Sequence, residues 1–276
     1  MQDGIGTNAQ TLARVRANAG ARLSFAAGEP VSRLRSLTEW GGVRVKFPAP
    51  ADRAEAVLIN TGGGIAGGDE LQIEVALAAG AALTVTTQSA ERIYRSLGDP
   101  ARIATRLDVA AGADLAFVPQ ETILFSHARL ARTIDAGVAP DARLLLAEMT
   151  VFGRAAMGER VTEGSLRDRW RIRRGGRLVY ADDVQIEGNI TAHLERATIG
   201  HGAGGVATLL YVAPDAADRL EDVRACLAAS ACRAAASTWN GLLSVRALGT
   251  PQSVRHSVAA AISTLSRRAL PRVWCL

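Results

Sequence analysis

The segment AAGAALTVTTQ at residues 78–88 recurs as AAGADLAFVPQ at residues 110–120, and APDARLLLAEM at residues 139–149 is a weaker third copy. The first two copies follow runs in which apolar and polar residues alternate, ELQIEVAL at 70–77 and ARIATRLDV at 101–109. Alternation with a period of two is typical of half-buried β-strands. Each copy is therefore predicted to be strand, turn, strand. Repetition about every 30 residues predicts stacked sheet layers that bury their apolar faces against one another.

The predicted fold class is all-β dominated, with a stacked-sheet, solenoid-like β architecture and two helices in the C-terminal half. A plain β-sandwich is an equal alternative, because alternating strands with regular turns also form sandwiches. Beyond the repeats, RWRIRR at 169–174 and RLVYAD at 177–182 flank a Gly-Gly pair and predict a hairpin. Asp215 is the expected cap of the first helix, and Pro251 is expected near the start of the second.

The composition and the N-terminal sequence limit the class of protein. The 276 residues are 48% apolar, which is enough for a sizeable core, and they carry a net charge of +5 in which Lys46 is the only lysine. No run reaches the roughly 18 apolar residues that a membrane span needs, and the N-terminus has no signal-peptide pattern. We expect a cytoplasmic protein with a flexible arm at residues 1–20 and a single domain at residues 21–276.

The cysteines and histidines indicate no closed metal site. Cys226, Cys232 and Cys275 match no zinc spacing and are expected to be reduced thiols. The four histidines are scattered, and no nucleophile motif is present. The sequence therefore offers no catalytic constellation, and we expect no enzymatic activity.

A glycine-rich turn, GGGIAGGD at residues 62–69, formally matches a dinucleotide-binding motif. That motif must lead into a helix whose N-terminus meets the pyrophosphate, whereas residues 71–77 alternate as a strand. Asp69 and Glu70 also stand where they would repel phosphate. We interpret the glycines as a structural turn that permits positive φ or close backbone approach: Gly62, Gly63, Gly64, Gly67 and Gly68. A nucleotide-dependent oxidoreductase that uses the Gly62–Gly67 turn is the alternative hypothesis.

Two further groups of charged residues are candidates for function. Four arginines occupy alternate positions of one predicted strand and share a face: Arg167, Arg169, Arg171 and Arg173. This face is either simply solvated or a docking surface for an acidic partner. Carboxylates in or beside strands could line a polar passage: Glu148, Glu159, Asp182 and Asp183. Nucleic acid is a poor fit as a partner, because aromatic residues make up only 4% of the chain.

Six stretches, taken together, resemble the urease accessory protein D family (UreD, also called UreH). They keep their order across roughly residues 40–276: LINTGGGIAGGDEL at 58–71, TTQSAERIYRS at 86–96, VPQETILF at 118–125, FGRAAMGE at 152–159, RLVYADD at 177–183 and LPRVW at 270–274. The glycine turn and the PQETI block are specific in combination. In this chain Asn60-Thr61-Gly62 replaces the His-Pro-Pro of many members, which puts any role of that histidine in doubt.

The resemblance implies a non-catalytic urease maturation factor with a β-rich, solenoid-like fold. Such proteins act as a scaffold between apo-urease and accessory proteins F and G, the last a GTPase that carries nickel, and they are thought to conduct nickel through an internal tunnel lined partly by carboxylates. It implies no tightly bound cofactor, only transient Ni²⁺, and no nucleic-acid or membrane partner. Weak oxygen ligands suit transit, because a thiolate or imidazole site would hold the ion. By position, Asp69, Glu148, Asp182 and Asp183 are the candidates for nickel transit.

Overall fold

The computed structural model describes residues 16–50, 52–154 and 157–275. Seventeen strands lie within these ranges: β1 Asn18–Ala26, β2 Arg33–Trp40, β3 Val43–Lys46, β4 Ala54–Asn60, β5 Glu70–Leu77, β6 Ala82–Thr87, β7 Glu91–Ile93, β8 Ala101–Val109, β9 Asp114–Phe117, β10 Thr122–Leu124, β11 Arg129–Val138, β12 Arg143–Phe152, β13 Ser165–Arg174, β14 Arg177–Glu187, β15 Gly205–Val212, β16 Arg233–Trp239 and β17 Leu242–Gly249. The helices of the same ranges are α1 Ile190–Glu195, α2 Leu220–Ala228 and α3 Pro251–Ser266, with a 3₁₀ turn at Arg272–Trp274.

The strands form two sheets, and each copy of the sequence repeat supplies one strand to each. Sheet A has the order β14-β13-β11-β8-β5-β1-β2, and sheet B has the order β16-β17-β15-β12-β9-β6-β4-β3, with β7 and β10 paired alongside β12. The copies are β5–β6, β8–β9 and β11–β12. Equivalent residues pair in parallel, as Ala82, Asp114 and Arg143 do across β6, β9 and β12. The prediction of a β-rich, solenoid-like stack is confirmed.

Alternation along the strands creates the core between the two sheets. In β8 every second residue is buried and every other one is exposed, which is the pattern that a sheet with one solvated face requires. Leu83, Leu107, Leu115 and Leu144 are fully buried in the space between the sheets. Each such side chain contributes about 1.5–3 kcal/mol by leaving water, so the repeated apolar positions account for the stacking.

A second apolar cluster lies on the other face of sheet B, where α2 and α3 cover it. Val223 of α2 and Val258 and Ile262 of α3 are buried in this cluster together with Leu145 and Leu209 of the sheet. Sheet B therefore has core on both faces, and the layers are sheet A, sheet B and helices. Consistent with burial on both sides, β12 is an almost continuous apolar run, RLLLAEMTVF.

The predicted hairpin and the second predicted helix are confirmed. The prediction that Asp215 caps the first helix is wrong. Strands β13 and β14 pair antiparallel around Gly175 and Gly176. Helix α3 begins at Pro251, and the Thr250 hydroxyl accepts a hydrogen bond from the Ser253 amide at 3.2 Å. Helix α2 begins only at Leu220 with no side-chain cap. The Asp215 carboxylate instead accepts a hydrogen bond from the Tyr211 hydroxyl at 2.9 Å.

The sequence did not predict α1, a helix of six residues capped by Asn189. Of the expected arm at residues 1–20, residues 1–15 lie outside the described ranges, whereas residues 18–20 already belong to β1. The three cysteines are free thiols, and Cys275 is exposed. In the part of the chain that the structure describes, none of the helices combines the length and apolar character needed to cross a bilayer.

Candidate functional site: a cavity between the sheets

The glycine-rich turn carries the chain from β4 in sheet B to β5 in sheet A. Gly63, Gly64 and Gly68 have φ values of 73°, 143° and 87°, which strongly favour glycine. A Cβ atom on Gly64 would overlap the Tyr94 ring, and one on Gly67 would overlap the Ser96 side chain. The turn leads directly into strand β5 and not into a helix. The alternative hypothesis of a dinucleotide site is therefore wrong, because no helix N-terminus follows to receive a pyrophosphate.

Asp69 closes this turn by accepting hydrogen bonds from the backbone. Its Oδ1 accepts from the Ala17 amide at 2.9 Å, and its Oδ2 accepts from the Ala66 amide at 2.7 Å. The side chain is 9% exposed. Both carboxylate oxygens thus bind the glycine turn and the start of β1, which favours a structural role for Asp69 over one in metal transit.

Three of the six family-like stretches meet around a cavity of about 90 Å³ between the sheets. The mouth is bounded by the glycine turn and by the loop at residues 88–90. The walls include Asn60, Gly63 and Gly64 from the first stretch, Thr87, Gln88, Ser89, Ala90, Glu91 and Arg92 from the second, and Pro119, Gln120 and Thr122 from the third. A cavity of this size holds several water molecules, since one needs about 10–15 Å³.

Two side chains face each other at the mouth. The Asn60 amide donates to both oxygens of Glu91, at 3.0 Å and 3.1 Å. Burial raises the pKa of Glu91, and the hydrogen bond from Asn60 opposes this shift in part. Asn60 occupies the position of the histidine found in many members of the resembled family. In this chain that position therefore supplies a neutral donor to a carboxylate.

A buried charged cluster forms the inner end of the cavity. Arg132 of β11 is 3% exposed and lies between two carboxylates. Its Nη1 donates to Glu148 Oε2 at 2.5 Å, and its Nε and Nη2 donate to the two oxygens of Asp168 at 3.1 Å and 2.6 Å. Thr122 and Thr150 accept longer hydrogen bonds of 3.3 Å from the same guanidinium. Every terminal nitrogen of Arg132 thus has an acceptor.

The charges in this cluster shift one another's protonation. Burial raises the pKa of Glu148 to about 7, although the charge of Arg132 acts in the opposite direction. Burial alone would lower the pKa of Arg132, but Asp168 and Glu148 together raise it above its ordinary value. The arginine therefore stays charged, whereas burial brings the pKa of Glu148 toward neutral pH.

Sequence analysis identified Glu148 but missed Arg132, Asp168 and Glu91. The sequence did contain a signal for Arg132 and Asp168. In β11 and β13 the inward positions read Leu, Arg, Ile and Leu, Asp, Trp, so that a charge stands at an apolar position in each strand. The register pairs these two residues directly. Glu91 lies in the TTQSAERIYRS stretch, which indicated the family but gave no sign that Glu91 faces a cavity.

The remaining predicted carboxylates lie elsewhere. Asp182 and Asp183 point to opposite sides of β14, as consecutive strand residues must. Asp182 pairs with Arg246 at the edge of the two sheets, and Asp183 pairs with Arg167 on the outer face at 2.8 Å. Glu159 binds Arg154 at 2.7 Å. Of the carboxylates predicted for nickel transit, only Glu148 lines the cavity.

The four predicted arginines occupy the outer face of sheet A. Arg167, Arg171 and Arg173 are exposed and Arg169 is half-buried, while Trp170 and Ile172 are buried on the other side of β13. The Arg167 guanidinium lowers the pKa of Asp183 through a hydrogen bond, and Arg169 and Arg171 add to that effect. Arg171 also lies beside Asp135 in the register of β11 and β13.

No three His, Cys, Asp or Glu side chains of the described residues are placed to hold a metal ion together. The carboxylate oxygens of the cavity are instead separated, with Glu91 near the mouth and Glu148 at the inner end, and the Gln120 oxygen in the wall accepts a hydrogen bond from Arg255 at 2.5 Å. Separated oxygens bind divalent cations weakly compared with thiolates or imidazoles.

Comparison with known proteins places these features in one family. Residues 17–275 match the profile of the UreD urease accessory protein family. The chain is 48% identical over 268 residues to urease accessory protein UreD 1 of Methylobacterium radiotolerans, with 95% of this chain and 93% of that protein covered. It is 43% identical over 265 residues to urease accessory protein UreD of Azorhizobium caulinodans, with 95% and 98% covered.

Proposed function

This chain belongs to the UreD family of urease accessory proteins, which supports a role in urease maturation, and we propose that it fills this role as a non-catalytic cytoplasmic scaffold. In this proposal it joins apo-urease to accessory proteins F and G and lets Ni²⁺ enter and leave its inter-sheet cavity on the way to the urease active site. Nickel is the cargo of the complex and binds the chain only in transit.

The observation that carries the proposal is the cavity lined by three family-like stretches. A purely structural role for those stretches would be met by apolar packing, as in the other half of the inter-sheet core. Instead Asn60, Thr87, Thr105 and Thr122 stand at inward positions among a mainly apolar lining that includes Leu71, Ile73, Ile103 and Phe117. These polar side chains can hold water in the cavity, and a hydrated cation can move only where water is present.

The charges of the cavity suit passage better than storage. Glu91 and Glu148 attract a divalent cation. The fixed positive charge of Arg132 beside Glu148 prevents further carboxylates from coordinating the same cation. A cation that reaches Glu148 favours its ionised form and releases a proton, because burial holds the pKa of that carboxyl at about 7. We expect weak, exchangeable coordination along this path.

The outer face of β13 supplies a surface for the scaffold part of the role. Arg171 and Arg173 are exposed on the outer face of the sheet and make no ion pair within 4 Å among the described residues, so they can make forked contacts with carboxylates of a partner protein. Complementary charge of this kind increases association rates and specificity more than it increases folding stability. An acidic surface on a urease or accessory-protein subunit fits these requirements.

The proposal is tested by deleting the gene for this chain from its host and restoring it with an affinity tag. We expect the deletion to leave assembled urease with little nickel and little activity, and the tagged chain to restore both. The tagged chain should co-purify with apo-urease and with accessory proteins F and G. Fully nickel-loaded urease in the deletion strain, or restoration without any co-purification, would contradict the proposal.

A further inference from the structure

A second cavity, of about 200 Å³, lies on the helix-covered face of sheet B. It is located where β9 and β12 begin, next to the end of α3 and on the opposite face of sheet B from the inter-sheet cavity. Its charged lining residues are the arginines Arg53, Arg143, Arg219, Arg267 and Arg268 and the aspartates Asp114 and Asp215. We name this group the arginine pocket.

Two of these arginines are almost fully buried and each has an unused donor. Arg53 is 8% exposed and Arg219 is 5% exposed. The Nε of each finds no hydrogen-bond acceptor among the described residues, although that of Arg219 lies 3.5 Å from the Asp215 carboxylate. A buried donor without an acceptor costs free energy, so the fold holds these guanidiniums in place without satisfying them fully.

The contacts that Arg53 and Arg219 do make explain only part of the pocket. The Nη2 of Arg53 donates to the Leu83 carbonyl at 2.6 Å, and its Nη1 lies 3.1 Å from the Asp114 carboxylate. The Nη2 of Arg219 donates to the Leu265 carbonyl at the end of α3, at 3.2 Å. Carbonyl capping of this type accounts for the position of Arg219. Of the other three arginines, Arg143 lies 3.7 Å from Asp215 and Arg268 pairs with Asp52, whereas Arg267 has no ion-pair partner among the described residues.

Positive charge exceeds negative charge by one in the arginine pocket. Its five guanidiniums meet four carboxylates, Asp114 and Asp215 in the lining, Asp52 paired with Arg268, and Asp222 at 3.5 Å from Arg219. Burial lowers the pKa of Arg53, Asp114 and Asp52 oppose that shift, and the neighbouring Arg268 lowers the pKa further. A bound anion would reverse the last effect, because it would place a compensating charge beside both guanidiniums.

The fold concentrates these arginines from distant parts of the chain. Asp114 and Arg143 occupy the same position in two copies of the sequence repeat, and the register of β9 and β12 therefore places them side by side. Arg267 ends α3 in the left-handed conformation, with φ of 52°, and the chain reverses there so that Arg267 and Arg268 both reach the rim. Arg143, Arg267 and Arg268 are exposed, and the two buried arginines lie behind them.

We propose that the arginine pocket binds a small oxyanion of the phosphate class, held by forked contacts from the exposed arginines. Planar guanidiniums match the paired oxygens of such groups and bind them in two-pronged fashion. Arg53 and Arg268 also line an adjoining larger groove beneath residues 269–273, which gives space for a substituent on the oxyanion. This site is separate from the nickel path and goes beyond the proposed maturation role.

The test is calorimetric titration of the purified protein with inorganic phosphate and with phenyl phosphate, against chloride at the same ionic strength. Arg143→Gln and Arg267→Gln, singly and together, remove exposed arginines of the pocket. Arg106→Gln removes an exposed arginine from the outer face of sheet A and is the matched control. Circular dichroism establishes that each variant is folded.

We expect the wild type and Arg106→Gln to bind phosphate equally, and the double variant to bind at least about tenfold more weakly. Tighter binding of phenyl phosphate would identify a phosphate group on a larger molecule as the ligand, and preference for inorganic phosphate would identify the free ion. Absence of binding of both probes to the wild type overturns the proposal. Equal affinity in the double variant and the control overturns the location.

Discussion

At the scale of single residues, Asp168 fixes Arg132 more firmly than Glu148 does. Asp168 accepts two hydrogen bonds from the guanidinium in a fork, whereas Glu148 accepts one. Asp168→Asn should therefore destabilise the protein by about 3–5 kcal/mol, the usual cost of breaking a buried pair. Glu148→Gln should cost clearly less, because the fork remains. Urea denaturation of the two variants measures the difference, and equal losses would contradict this order.

Glu148 should also make stability depend on pH. Its folded pKa of about 7 lies above the ordinary value of 4.5, so the folded protein binds more protons than the unfolded chain between these values. The stability that this group contributes is complete below pH 4.5 and decreases as pH rises through 7. Glu148→Gln should remove this decrease. A constant difference in unfolding free energy between wild type and variant from about pH 5 to pH 8 would contradict the raised pKa.

Asp69→Asn separates a structural role of this residue from a transport role. The substituted amide would direct an NH₂ group at one of two backbone N–H donors, those of Ala17 and Ala66. We expect a loss of about 1–3 kcal/mol, the cost of leaving a buried donor unsatisfied. Nickel content per assembled urease complex should stay at the wild-type level. Normal stability together with reduced nickel content would show that the carboxylate serves transit.

At the scale of elements, the inner face of β13 is expected to contribute to folding stability and its outer face to partner binding. Arg169 and Arg171 lie on the outer face, and Trp170 is buried on the inner one. Reversing both charges with Arg169→Glu and Arg171→Glu should weaken co-purification with urease and accessory proteins several-fold while shifting the melting temperature little, since exposed charges contribute little to folding.

The matched control for this charge reversal is the pair Arg33→Glu and Arg35→Glu in β2. These two exposed arginines lie at the opposite edge of sheet A and change the net charge equally. They should leave co-purification intact. If both double variants lose partners to the same extent, net charge and not the β13 face governs assembly.

Helix α3 holds the LPRVW stretch against sheet B. Arg255 lies 4.8 Å above the Trp274 ring, and the indole donates to the Val118 carbonyl at 3.0 Å. Arg255 also donates to Glu121 at 2.6 Å, in the PQETI block. Two of the family-like stretches are thus joined by one helix residue. Trp274→Ala should cost about 3–5 kcal/mol in urea denaturation, and a loss below about 1 kcal/mol would show that the segment is loosely attached.

At the scale of the whole molecule, the repeat made the architecture predictable because it records strand period, turn position and unit length together. The glycine turn was also predictable, since a strand and not a helix follows it. The cavity was not. Its inner end depends on β11 and β13 lying in a register that pairs Arg132 with Asp168, and residues 36 positions apart give no local sign of that pairing. Asp182 and Asp183 were grouped by adjacency, although strand geometry places them on opposite faces.

Layering also separates the three proposed sites from one another. The motif-lined cavity lies between sheets A and B, the arginine pocket lies between sheet B and the helices, and the β13 arginines face solvent beyond sheet A. Each of these sites uses a different face of the stack. Variants of one site are therefore expected to leave the other two intact, which allows passage, docking and folding to be measured separately.

Passage of nickel through the inter-sheet cavity is tested most directly at its mouth. Ser89 is exposed and lines the opening, so Ser89→Trp should obstruct it without disturbing the core, and Ser89→Ala is the matched control. The measurement is the nickel content of urease purified from cells that carry each variant, with co-purified accessory proteins quantified in the same samples. We predict several-fold less nickel with Ser89→Trp, in complexes that assemble normally, and wild-type nickel with Ser89→Ala. Wild-type nickel in urease matured with Ser89→Trp would contradict passage through this cavity.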